Sequence, residues 1–303
     1  MLKEPLLYLA RQKSVRHFVI SNPAARRVAR RFVAGERLDE AIAATRALNA
    51  RRISVSLDHL GENVADAREA EAAAADYIGM LDRIQGEGLE ANISVKLTAL
   101  GLDIGPELAR ENLARVLQRA TDHGIFVRVD MEGSAYTQRT LDLVGEVHRT
   151  YPNVGTVLQA MLYRTPRDLD QLIEQRIRVR LVKGAYLEPP SLAYPKKADV
   201  DEAYLHLMRR LLEFGAYPAI ATHDEAMIDE AKRFAAEKGI ARARFEFQML
   251  YGIRRDVQDA LAREGYNVRV YVPYGTQWYP YLTRRMAERP ANLVFVASNM
   301  LRG

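Results

Sequence analysis

The sequence contains no cysteine. That excludes a disulfide framework, a thiolate nucleophile and a cysteine-ligated iron–sulfur cluster. Its six histidines (His17, His59, His123, His148, His206 and His223) lie far apart, and none forms a ligand pair at zinc-site spacing. No apolar run approaches the roughly 20 residues that a bilayer crossing needs. The opening stretch, MLKEPLLYLARQKSVRH, breaks its short apolar patch with charge at once and reads as a poor secretory signal. Three nucleotide and hydrolase signatures are missing. Without G-x-G-x-x-G a Rossmann dinucleotide domain is disfavoured, without G-x-x-x-x-G-K-[ST] there is no P-loop, and without G-x-S-x-G the α/β-hydrolase reading falls.

What is present is ordinary globular material. Of 303 residues, 48% are hydrophobic and 27% charged, enough for one large core or two small ones. The formal charge of +5 says little about partners, but Arg26, Arg27, Arg30 and Arg31 make a local basic face. That face is either a solvated helix surface or a contact for an anionic lipid surface or protein partner.

Eight short β-branched runs recur: 53–57, 93–97, 125–130, 154–159, 177–183, 219–222, 244–248 and 268–272. Between them lie helical patterns, among them 65–81, 106–121, 137–149, 201–213 and 225–238, the last with Asp224 as N-cap and Gly239 as stop. Helices at 23–32 and 38–48 precede the first strand, and another at 279–287 follows the eighth. No linker or change of composition interrupts the chain. The expectation is a single domain over 1–303, with amino-terminal helices in 1–50 and the remainder in 51–303. Eight strand–helix units predict a distorted (β/α)8 barrel of the TIM type, with extra amino-terminal helices and a carboxyl-terminal helix over the site. Lys96, Asp130, Gln159, Lys183, His223, Gln248 and Tyr271 each fall at or just past the end of a different strand, where such barrels assemble their sites.

Three constellations could carry chemistry. In WYPYLTRRMAERPAN, a helix would set Tyr281, Arg284, Arg285 and Glu288 in one stripe, as a bidentate anion clamp or as an exposed salt-bridged face. In RVRLVKGAY, Arg180 sits inside a covered strand and must meet an anion, a polar ligand or a carboxylate partner. Gly184, lacking a Cβ, would let backbone approach a ligand. Lys96 and Asp130, ending adjacent strands, form a structural salt bridge, or orient an amino-acid substrate, or supply a Schiff-base lysine with its general acid. His223 is a ligand-facing donor or a satisfied core histidine.

The segments Y-x-P-x-G (Tyr271–Gly275) and Y-L-x-R-R-x-x-E (Tyr281–Glu288) together resemble the signature of the proline dehydrogenase family. So do SVKLTALG around Lys96, VRVDMEGS around Asp130, TVLQAMLYR around Gln159, RLVKGAYLEP around Arg180, ATHD at His223 and FEFQMLYG around Leu250. The likeness runs from FVAGE (Phe32–Glu36) to the end and is to the single-function bacterial type. It implies a flavoenzyme that oxidises L-proline to Δ1-pyrroline-5-carboxylate by hydride transfer to flavin N5. FAD is the implied cofactor and a membrane quinone the implied electron acceptor, in the first step of proline catabolism. Carried over, Lys96, Arg284 and Arg285 would hold the proline carboxylate, with Tyr271, Tyr281 and Leu250 closing over the ring. Asp130 would stand beside substrate and flavin, and Arg180 near N5. Met131, Gln159, Arg180, Lys183, Gly184, Ala185, Thr222 and His223 match cofactor-contacting positions. Glu62 matches the acid that pairs with the first motif arginine as a gate, to which Glu288 also belongs.

One departure stands out: Leu187 occupies the place where larger bifunctional relatives carry an aromatic against the adenine, which leaves FMN tolerable. The resemblance also implies a cytoplasmic enzyme with transient peripheral contact at the inner membrane face, a pyrroline-5-carboxylate dehydrogenase as pathway neighbour, and no nucleic-acid partner. Two other readings stay open on residues alone. One is a cofactor-free Schiff-base aldolase using Lys96 or Lys183. The other is a basic scaffold that binds lipid or nucleic acid through Arg26–Arg31.

Overall fold

A computed structural model describes residues 29–62 and 64–288, the last five of them as helix backbone only. Eight parallel strands close on themselves in sequence order. They are β1 (Ser54–His59), β2 (Ala91–Val95), β3 (Val127–Val129), β4 (Val154–Gln159), β5 (Arg178–Val182), β6 (Ala219–Ala221), β7 (Glu246–Leu250) and β8 (Asn267–Tyr274). Helix α1 (Leu38–Asn49) precedes the barrel. Helices α2 (Ala67–Gly86), α3 (Pro106–Asp122), α4 (Ser134–His148), α5 (Thr165–Glu174), α6 (Lys197–Phe214), α7 (Glu225–Glu237) and α8 (Arg255–Arg263) connect the strands, and α9 (Trp278–Glu288) follows β8. This is the expected (β/α)8 architecture.

The strands alternate with an uncommon polarity. Paired residues on neighbouring parallel strands point the same way, so the register assigns each side of the sheet. Val55, Leu57, Ile93, Val127, Leu158, Leu181, Ile220, Phe247, Val268 and Val270 share one side, face the helices and are buried. Burying side chains of this size stabilises by about 1.5–3 kcal/mol each. The other side carries Ser56, Asp58, Ser94, Arg128, Arg180, Glu246, Gln248, Arg269 and Tyr271. Most TIM barrels fill that interior with bulky branched residues. Here it is lined by charge and hydroxyl, and each buried charge needs a partner.

Local signals set the helix ends. The Asp66 carboxylate accepts from the Glu69 N–H at 3.0 Å, so α2 starts at Ala67 and not at the expected residue 65. It also outruns the expected end at Leu81, because Tyr77, Met80, Leu81 and Ile84 continue its buried stripe. Asp224 does cap α7, accepting from the Ala226 N–H at 3.2 Å, and Gly239 beyond it has φ +64. Of the expected helix at 23–32, residues 23–28 lie outside the described residues, as do Arg26 and Arg27 of the basic face. Arg30 is 3.8 Å from Glu40 and largely exposed. Helix α9 lays Trp278, Tyr279, Tyr281 and Leu282 against Ala29, Phe32, Val33 and Leu60, beside Tyr271 at the strand exits of β1 and β8.

Candidate active site

The polar interior gathers at the carboxyl ends of the strands. Lys96, one residue past β2, donates to Asp58 on β1 at 2.7 Å and lies 3.9 Å from Asp130, one residue past β3. Arg180 on β5 donates from Nη1 to the other oxygen of Asp130 at 2.8 Å, and the Tyr271 hydroxyl donates to Asp130 Oδ2 at 2.7 Å. The Arg180 guanidinium also lies over the Tyr271 ring, 5.3 Å from its centroid. The buried cluster is charge-balanced: two carboxylates face one ammonium and one guanidinium.

Environment decides how these groups titrate. Burial alone would lower the Lys96 pKa, but the charges of Asp58 and Asp130 outweigh it and hold the amine well above its usual range. Glu62, half-buried after β1, acts on Lys96 in the same sense. Burial pushes the Asp58 carboxyl up against the pull of Lys96. Burial, followed by the charge of Asp130, raises the Tyr271 phenol far above 10, so that hydroxyl remains a donor. A Schiff-base lysine must be a free amine when it attacks. Lys96 is held as an ammonium, and Lys183 is ion-paired to both Asp201 (2.7 Å) and Asp224 (3.1 Å), so the aldolase reading loses its nucleophile.

A second strip runs along the exits of β3 to β6. Met131 and Gln159 are buried there, and the Gln159 amide donates to the Glu132 carbonyl at 3.0 Å. Lys183, Gly184 and Ala185 are half-buried after β5. Gly184 has φ +120, and a Cβ there would fall 2.3 Å from the Met161 sulfur, so Met161 already occupies the space this glycine leaves. Thr222 is buried and its hydroxyl accepts from the Asp224 N–H at 3.1 Å. His223 Nε2 accepts from the Leu250 N–H at 2.9 Å, which puts its ring proton on Nδ1 and ties the exits of β6 and β7 together. Leu250 itself is half-buried and Tyr281 is buried. Arg284, Arg285 and Glu288 are placed on α9, and their side chains lie outside the described residues. The described residues hold no cluster of His, Asp and Glu that could bind a metal ion.

The sequence profile described as Proline dehydrogenase matches residues 41–298. The chain belongs to the proline dehydrogenase family. It is 46% identical over 279 residues to Proline dehydrogenase 2 of Bacillus subtilis (strain 168), covering 92% of each chain. It is 45% identical over 283 residues to Proline dehydrogenase of Deinococcus radiodurans, covering 91% of each. Among solved structures it is similar to proline utilization A (PutA) from Bdellovibrio bacteriovorus inactivated by N-propargylglycine. That match has a TM-score of 0.82 at 23% identity and covers 93% of this chain and 38% of the longer protein, a likeness of fold.

The residues fit the flavin that this family implies. The second strip offers amide, hydroxyl and imidazole groups with the half-exposed ammonium of Lys183, and the first cluster sets a buried guanidinium beside it. That donor set suits a ring that becomes anionic on reduction and a phosphate-bearing tail. Sequence reasoning missed several members. Asp58 in SLDH occupies at β1 the same strand-end position that marked the other strands, and that signal could have found it. Glu132, which accepts from the Thr98 hydroxyl at 2.7 Å, and Glu246, Arg269 and Arg128 gave no sequence signal. They become visible only when the barrel closes and turns them inward.

Proposed function

We propose that the chain oxidises L-proline to Δ1-pyrroline-5-carboxylate, using a bound FAD and passing the electrons to a membrane quinone. The observation that carries this reading is the buried, charge-balanced group of Asp58, Lys96, Asp130 and Arg180, with Lys96 held charged. Such a group suits a small zwitterion, which brings one charge of each sign and leaves the balance unchanged. Lys96 exchanges its protein carboxylates for the substrate carboxylate, aided by Arg284 and Arg285. Asp130, oriented by Arg180 and Tyr271, faces the substrate amine. Tyr271, Tyr281 and Leu250 close over the ring, and the apolar face of α9 keeps water out. When bound, the flavin supplies the acceptor for the electron pair. Met131, Gln159, Lys183, Gly184, Ala185, Thr222 and His223 hold it, with Arg180 turned toward its reactive edge and Leu187 at the adenine end. Glu62 and Glu288 gate the entrance.

Among the described residues no helix is long and apolar enough to cross a membrane. In this reading quinone reduction proceeds by peripheral contact at the inner membrane face. The test is anaerobic addition of L-proline to the purified holoprotein. Bleaching of the oxidised flavin band is expected, and an unchanged spectrum with flavin bound would overturn the reading. Arg285→Met should raise the proline KM by orders of magnitude while flavin stays bound.

A further inference from the structure

Arg180 is held on every side. Its Nε donates to Gln248 Oε1, its Nη1 to Asp130 at 2.8 Å, and its Nη2 to the Ser94 hydroxyl at 3.2 Å, while its face meets Tyr271. Of these partners, Gln248 is the one whose polarity is not fixed by its own chemistry. A primary amide turned by 180° would present N–H to N–H and repel the guanidinium. The second contact of Gln248 removes that freedom, because its Nε2 donates to Glu246 Oε1, and an acceptor there leaves only the amide oxygen to face Arg180. Glu246 in turn accepts from Arg269 Nε on both oxygens, at 3.1 and 3.0 Å, and Arg269 Nη1 is anchored on the Val55 carbonyl at 2.8 Å. Glu246 and Gln248 are two apart on β7 and so face the same way, into the barrel, and both are buried. A single hydrogen-bonded rail thus runs from Arg269 through Glu246 and Gln248 to Arg180 and Asp130.

We propose that Glu246 and Gln248 are positioning residues, which set the orientation of the Arg180 guanidinium and through it the driving force for flavin reduction. This rests on Arg180 being the cation turned toward the flavin. The Glu246 carboxylate is taken up by Tyr217, Gln248 and Arg269, and it acts by fixing which end of the Gln248 amide meets Arg180.

The test uses the FAD-loaded protein and two variants. Gln248→Met keeps the volume and cuts the rail. Glu246→Gln keeps the shape, makes the group that faces the Gln248 amide an amide able to present either end, and also removes the charge paired with Arg269. The flavin potential is read against a reference dye with a chemical reductant, so it needs no proline. In Gln248→Met the two-electron reduction equilibrium should shift about tenfold toward the oxidised form, about 30 mV more negative. The limiting rate of flavin reduction by proline should fall about tenfold, with KM changed less than twofold, since the carboxylate anchor is untouched. Glu246→Gln should move both quantities the same way, about threefold. The double variant should be no worse than Gln248→Met alone, because Glu246 acts only through Gln248. Should Gln248→Met not fold, Glu246→Gln carries the same comparison. An unchanged potential and reduction rate in the folded variants would overturn the proposal, as would additive losses in the double variant. A wild-type flavin that proline fails to bleach would sink the functional reading separately, with the dye-based potentials still deciding the rail.

Discussion

Arg180 and Arg128 are both buried on the inner side of the barrel, on strands two apart, and they are held in opposite ways, Arg180 by side chains and Arg128 by backbone carbonyls that leave its buried Nε without a hydrogen-bond partner. Arg180, toward the strand exits, meets the Asp130 carboxylate, a glutamine oxygen and a serine hydroxyl. Arg128, nearer the floor, donates to the carbonyls of Thr156 (2.8 Å) and Arg178 (2.7 Å) and stacks over the Phe126 ring at 4.8 Å. Room for it comes from Gly155, where a Cβ would lie 2.4 Å from the Arg178 carbonyl and 3.0 Å from the Arg128 guanidinium. Burial first, and then repulsion from Arg180, depresses the Arg128 pKa well below the usual guanidinium range. The carbonyls that bind Arg128 belong to the strand backbone and cannot swing aside for a ligand. Carboxylates and hydroxyls can. The upper half of the interior is thus built to trade partners and the lower half to stay fixed.

The largest expected effect tests the upper half. Lys96→Met leaves Asp58 and Asp130 facing each other across a buried space with one cation gone. A substrate carboxylate left without its buried cation loses about 2–5 kcal/mol of binding, so kcat/KM for proline should fall roughly 30- to 4,000-fold. Steady-state dye reduction checks this, with flavin content measured alongside. A loss under tenfold would mean that Lys96 is a structural tie and not the substrate's anchor.

The next prediction sets the two arginines side by side. Arg180→Met should lower activity roughly 10²-fold while the protein stays folded, since Asp130 keeps its Tyr271 bond and its nearby ammonium. Arg128→Met should leave kcat and KM within about twofold and lower stability by about 1–3 kcal/mol, as two buried carbonyls lose their donor. Denaturant unfolding and steady-state kinetics of both variants check the pair. If Arg128→Met loses activity as Arg180→Met does, the division into exchangeable and fixed halves fails.

This division explains what could be read from sequence. The strand runs were legible because ISVSL, VRVD and VRVYV alternate, and the barrel because eight such runs are spaced by helices. Polar residues at strand ends pointed to the mouth, and the motif residues Lys96, Asp130, Arg180 and Tyr271 do meet there. Alternation itself says only that one side is apolar. In most half-buried strands the polar side faces water, so Glu246, Arg269 and Arg128 read as surface. Closure of the ring reverses that, and no local pattern announces it. The partners of Lys183 were hidden for a different reason: Asp201 sits on α6 and Asp224 caps α7, and only packing brings both to one ammonium.

Glu132 offers the finest probe of the comparison, because it is a buried carboxyl held by neutral donors. Burial raises its pKa above the usual 4.5, outweighing the Thr98 hydroxyl, which donates to it at 2.7 Å, the Thr98 N–H at 3.3 Å and the charge of Lys96. The sign follows directly. Between its unfolded and folded pKa values the native state binds the proton more tightly than the unfolded chain, so stability contributed by this group is present at low pH and lost as pH rises. A carboxylate clamped by cations has a depressed pKa and the opposite slope. Glu132→Gln keeps an oxygen for the Thr98 N–H, offers its amide N–H to the Thr98 hydroxyl oxygen, and does not titrate. The variant should therefore match the wild type at about pH 4 and exceed it in thermal midpoint at about pH 7, by less than the other substitutions change stability or activity. Thermal scans across that range check it. A wild type that gains stability relative to Glu132→Gln as pH rises would mean that cations outweigh burial at this carboxyl, and that the mouth of the barrel is charge-paired throughout.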